Sequence, residues 1–245
     1  MEGIAKALEY AVDLAEPKVL EIGGFTYTDK KVTRVTGPEI DTLGVCSLTA
    51  LVEYIRDTGL FNFDMVSDCE NIQFFGQPMV HIVSPDTVKF ISQLRPDTGS
   101  RDIFVNAEAR TPEIQYGRYY ENEFFNVLMQ SSFGDTTDRE IILRVIGNLV
   151  EKNVKSVTDD GVSQAVTVKS GIASVDNVIV PNPVTLKPFR TFAEVAQPES
   201  RFIFRMQDGG KCALFEADGG AWRLEAMSNI KEFLKEALPG VRIIC

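Results

Sequence analysis

One set of residues has the types and spacing for holding an anion. Lys187, Arg190, Arg201, Arg205 and Lys211 are interleaved with Phe189, Phe192, Phe202 and Phe204. Residues two apart in a strand share a face. Phe202 and Phe204 therefore fall on one side of the segment 201–206, and Arg201, Ile203 and Arg205 on the other. Guanidinium forks along an exposed face can grip phosphate groups bidentately. Lys187, Arg190, Arg201 and Arg205 are thus the candidate ligand-binding residues. The competing reading is a solvated sheet face paired with glutamates.

A second set is acidic. Asp97 precedes the strand pattern Ile103–Ala107, and Glu108-Ala109-Arg110 follows it. Magnesium-dependent nucleases place a carboxylate before a strand that carries an acid-x-lysine triplet; the carboxylates hold the metal and the lysine orients water. Here arginine stands in the lysine position, a poor exchange for a group that must position or release a proton. Asp97, Glu108 and Arg110 form the catalytic alternative. Its competitor is a turn aspartate with a surface ion pair.

Other chemistry finds little support. His81, the single histidine, lies in the apolar run Met79–Val83 and reads as a half-buried strand residue. No GxSxG, Walker A or GxGxxG pattern is present, so no cofactor is expected. Asp159-Asp160-Gly161 has too few carboxylates for a calcium loop. Cys46, Cys69, Cys212 and Cys245 lack metal or dithiol spacing, which predicts no metal and reduced thiols. Trp222 reads as a packing anchor or a partner contact.

The elements that must position these residues follow from periodicity. Residues 3–15 read as an amphipathic helix stopped by Pro17. Two strands surround Gly23-Gly24, and Ser47 caps a helix over Leu48–Asp57. Short strands are expected at Gln73–Phe75, Val80–Val83, Thr87–Leu94 and Ile103–Glu108. Two central helices, Glu121–Phe133 and Asp138–Lys152, are separated by Gly134 and a Thr136 or Thr137 cap. Strands then return at Val154–Val157, Gln164–Ser170, Asn177–Val180, Val184–Pro188, Arg201–Met206, Lys211–Glu216 and Ala221–Ala226. A last helix spans Met227–Leu238. Asp218-Gly219-Gly220 is expected to make a hairpin turn.

The fold class is α+β: a mixed N-terminal half with short antiparallel strands and two central helices, and a β-rich C-terminal half closed by a helix. Residues 1–153 and 154–245 form two regions or one continuous domain, with the boundary candidate at Asn153–Gly161.

Charge narrows the partners. The 245 residues carry a net charge of −10, which disfavours nonspecific duplex nucleic acid and anionic membranes. Residues 1–100 hold 8 basic and 15 acidic side chains, whereas residues 181–245 hold 9 and 8. An anionic ligand meets least repulsion in the C-terminal third. No apolar run approaches the ~20 residues of a membrane span, and no signal peptide is visible, so the protein is expected in the cytoplasm.

The phrases DDGVSQAVTVKSG, VPNPVTLKPFRTFAEVAQP, FIFRM and ADGGAWRLEA, with the helix SLTALVEYIRDTG, resemble the YfdQ-like phage and prophage proteins. The resemblance runs from about Ser47 to Leu238. It implies an accessory phage protein in the host cytoplasm, acting in DNA metabolism or host defence rather than in a tail or capsid. It carries no catalytic residue across. Together these readings predict a binding protein, a homo-oligomer that takes a protein partner or a small anionic, nucleotide-like ligand. A self-assembling structural protein is the other alternative beside the nuclease.

Overall fold

In the computed structural model of this chain, periodicity and turn chemistry can be followed through residues 40–58, 77–95, 99–151, 156–159, 164–169, 175–207 and 210–245, together with 3–7, 10, 19–22 and 25–28. For 19–22, 25–28, 148–151, 156–159, 164–169 and 175–179 only the backbone is described. The expected strand Gln73–Phe75, Asp97, Cys69 and Lys152 lie outside the described residues. The chain divides into two units, Met1–Glu39 and Ile40–Cys245.

In the first unit the backbone is helical at residues 3–7 and 10 (α1). β1 (Val19–Ile22) and β2 (Phe25–Thr28) pair antiparallel, with Ile22 opposite Phe25.

The second unit builds two layered cores. Its first sheet has the order β14-β4-β5-β6-β3, from β3 (Leu43–Val45), β4 (Met79–Ser84), β5 (Thr87–Ile91), β6 (Ile103–Glu108) and β14 (Arg242–Ile244). The meander β4-β5-β6 is antiparallel, as expected. Both outer strands are not: β14 runs parallel to β4 and β3 parallel to β6. Three-residue strands reached by long crossovers leave no local alternation to read. The helices α2 (Leu48–Thr58) and α5 (Trp222–Ala237) cover one face. Leu48, Leu51, Val52 and Ile55 of α2 follow helical spacing and are buried against Val80, Phe90 and Val105. The Ser47 hydroxyl accepts the Ala50 N–H at 3.2 Å, the expected cap.

The second sheet has the order β13-β12-β11-β7, all antiparallel, from β7 (Phe133–Gly134), β11 (Val184–Pro188), β12 (Ser200–Met206) and β13 (Cys212–Glu216). α3 (Asn122–Ser132) and α4 (Thr137–Glu151) pack on it, and Phe125, Met129, Ile142 and Ile146 meet Phe202 and Phe204. Each such side chain, fully buried, contributes about 1.5–3 kcal/mol. Thr136 is the cap of α4: its hydroxyl accepts the Arg139 N–H at 3.1 Å. β8 (Ser156–Asp159), β9 (Gln164–Lys169) and β10 (Val175–Val180) form a separate antiparallel meander that enters β11 through a cis Asn182–Pro183 bond. The architecture is α+β.

The expected strand Ala221–Ala226 is instead the start of α5, and Asp218-Gly219-Gly220 turns a strand into a helix rather than into a hairpin. Gly219 and Gly220 take φ of 62° and 82°, and the Asp218 carboxylate accepts the Gly220 N–H at 3.0 Å. Trp222, Ala226, Ile230 and Leu234 recur every four residues on the buried face. That helical period outweighs the local β-like run.

Candidate functional site

Arg190 opens the segment that leaves β11 and feeds Phe192 into the core of the five-stranded sheet. Gln197 fixes this segment. Its side-chain oxygen accepts the Arg190 and Thr191 N–H groups at 2.9 and 3.2 Å, and its amide donates to the Phe192 carbonyl at 2.9 Å. The Thr191 hydroxyl donates to the Pro85 carbonyl at the β4–β5 turn.

The Arg190 guanidinium is itself enclosed. Its side chain is 8% exposed, and Nη1 pairs with Glu216 at 2.9 Å. Nη2 donates to the Ser200 hydroxyl. The cation lies 3.9 Å from the Trp222 ring centroid and 5.7 Å from that of Phe202. Burial draws the Arg190 pKa down, against the pull of Tyr116, Glu216 and Asp218. Burial pushes the Tyr116 hydroxyl up to about 12, with Arg190 opposing it. For Asp218 burial also raises the pKa, but the Ser200 hydroxyl, the Gly220 amide and Arg190 outweigh it and hold the carboxyl low. This is a guanidinium stacked and paired inside the protein, joining a strand of one core to the first turn of a helix in the other.

Lys187, Arg201 and Arg205 lie elsewhere. β12 alternates as expected: Ser200, Phe202, Phe204 and Met206 are buried, while Arg201 is exposed and Ile203 and Arg205 are half-buried. In the register Thr185 faces Arg201 and Leu186 faces Ser200, so Lys187 shares the Arg201 face, one diagonal step away. Diagonal neighbours of this kind stand about 7–8 Å apart. Arg205 is four residues along the same strand, roughly 13 Å from Arg201. The fold thus groups three of the four cations on the outer sheet face and takes Arg190 to the helix-facing side.

The outer face of the other sheet holds a polar row that the sequence reading missed. His81 pairs with Lys89, Lys89 with Asn106, and Asn106 with Gly44. His81 is half-buried. Beside Gly44 opens a crevice of about 380 Å³, lined also by Cys46, Asn106, Glu108 and Arg110. Glu108 and Arg110 therefore do come together here, whereas Asp97 is outside the described residues. Glu108 is exposed and accepts the Asn106 amide at 2.7 Å. The alternation of β6 was enough to place Asn106 and Glu108 on one face. Nothing in the sequence showed that Gly44 lay beside them.

Among the described residues no group of three or more His, Cys, Asp and Glu side chains is placed to hold a metal. Among them, too, no helix is long and apolar enough to cross a membrane. Cys46 and Cys245 are exposed thiols and Cys212 a buried one, which burial pushes up to about 12. No protein-family model, curated protein or solved structure matches the chain.

Proposed function

We propose that this chain is a phage-encoded accessory protein of the host cytoplasm that acts by binding a small anion carrying two or more phosphate groups. The reading rests on one observation: Lys187, Arg201 and Arg205 share the outer face of β11 and β12, with Arg201 exposed. Lys187 and Arg201 bracket a pair of phosphates, and Arg205 reaches the far end of a nucleotide-sized ligand. A net charge of −10 repels long polyanions, while a compact ligand meets only the local field. The resemblance to YfdQ-like phage proteins supplies the setting, host defence or DNA metabolism. The test is calorimetric titration with ATP and with a cyclic dinucleotide at 0.1 M salt. Saturable binding, weakened tenfold or more by Arg201→Ala, is the expected result. No saturation with either probe, or binding indifferent to Arg201→Ala, sinks the reading.

A second reading, self-assembly, is favoured by one observation. Phe124 and Val127, one turn apart on α3, are 57% and 58% exposed, and Phe124 stacks on Tyr120 at 5.2 Å. Such a patch suits a copy of the same chain. Light scattering separates the readings: an oligomer that Phe124→Ser dissolves supports this one, and a monomer at millimolar concentration excludes it.

A further inference from the structure

The crevice beside Gly44 has a chemistry that the basic face and the Arg190 cluster do not use. β3 and β6 run parallel, and the crevice lies along their carboxyl-terminal halves, where the chain goes on from β3 to α2 and from β6 to the segment after Glu108. Ligands recur at such ends because the departing loops leave a gap between strands. At Gly44 the gap is widened by a missing side chain: a Cβ there would meet no atom within 4 Å. The volume, about 380 Å³, is that of a small-molecule site.

Three side chains set its polarity. A carboxylate only accepts hydrogen bonds, so Asn106 must turn its amide nitrogen to Glu108. That leaves Asn106 Oδ1 buried, without a partner among the described residues. Glu108 adds a negative charge beside it. Arg110, two residues on, is exposed and lines the same crevice, yet it forms no ion pair with Glu108 or with any other described residue. Two opposite charges on one crevice, not paired with each other, match a ligand that is a cation at one end and an anion at the other.

We propose that this crevice binds a short peptide-like zwitterion, its ammonium on Glu108 and its carboxylate on Arg110. The two ends of an extended dipeptide lie roughly 7 Å apart. A simple anion or a simple cation satisfies one end and leaves the other charge unmatched.

Cys46 offers a readout, because it is exposed and lines the crevice, while exposed Cys245 serves as internal standard. The experiment is maleimide labelling of the full chain, followed by peptide mass spectrometry, with Ala-Ala, N-acetyl-Ala-Ala and Ala-Ala-amide up to 50 mM. The expected result is a fivefold or greater slowing at Cys46 by Ala-Ala alone, with Cys245 unchanged. Gly44→Val narrows the crevice, its Cβ meeting no atom within 4 Å, and should abolish the protection at an unchanged urea midpoint. Glu108→Gln keeps the side-chain shape and should erase the preference for the uncapped amine, which keeps the proposal testable if Gly44→Val fails to fold. Equal protection by all three peptides, none by Ala-Ala, or protection that survives in folded Gly44→Val overturns it.

Discussion

The two faces of β12 treat arginine in opposite ways. On the helix-facing side, Arg190 is stacked on Trp222, edged by Phe202 and paired with Glu216. On the other side Arg201 stands in water and Arg205 is half-buried. The sheet separates a cation that joins two cores from one, Arg201, that is exposed. Residue type and spacing alone do not distinguish them. What distinguishes them is whether aromatic faces and a carboxylate close around the guanidinium, since an enclosed cation must be paired and stacked to offset its lost hydration.

Removing the enclosure should produce the largest effect. Trp222→Ala is expected to lower stability by about 3–5 kcal/mol in urea unfolding, from lost burial and a cavity beside Arg190. Arg190→Met keeps the stem and removes the charge; the expected loss is about 1–3 kcal/mol, from the stacking and the charged hydrogen bonds. A neutral or stabilising Arg190→Met would mean that the enclosed cation contributes nothing to stability that an apolar side chain cannot supply, and the contrast between the faces would lose its energetic basis.

Alkali offers a finer probe of the buried side. Tyr116 titrates at about 12 instead of 10.0, and Cys212 at about 12 instead of 9.0. Across these intervals the folded chain keeps each proton that the unfolded chain has lost, so stability falls as pH rises. Each contribution is whole below the unfolded pKa and gone above the folded one. Tyr116→Phe should therefore flatten the decline of the urea midpoint between pH 10 and 12 while leaving the part due to Cys212 from pH 9 upward. An unchanged slope would place Tyr116 in contact with water.

Arg201→Ala should show the smallest effect, within about 0.5 kcal/mol in the same unfolding series, because it removes an exposed side chain. A larger loss would make the outer face structural too, and the two sides of β12 would no longer differ in kind.

How far these features could be read from sequence depends on the range of the interaction. β6 and β11 lie where their alternation puts them, α3 differs from expectation by a residue at each end, and α4 begins one residue early, since period, cap and breaker are local. The Phe and Arg faces of β12 were legible for the same reason. Three things were not. β3 and β14 are too short to show a pattern and are defined by parallel partners far away in sequence. The start of α5 was hidden because Ala221–Ala226 carries both a strand-like and a helix-like period. The enclosure of Arg190 needs Tyr116, Ser200, Glu216 and Trp222 to meet, and no spacing records that meeting.

The strand β14 sets Arg242 beside Met79 and Ile244 beside His81. A sheet whose first-made meander waits for its outermost strand has a high contact order, and such topologies close slowly because the intervening chain must be ordered first. During that wait β4 shows an unpaired backbone edge next to Val80 and Ile82, the arrangement on which another chain can add itself. Refolding yield should therefore drop with protein concentration.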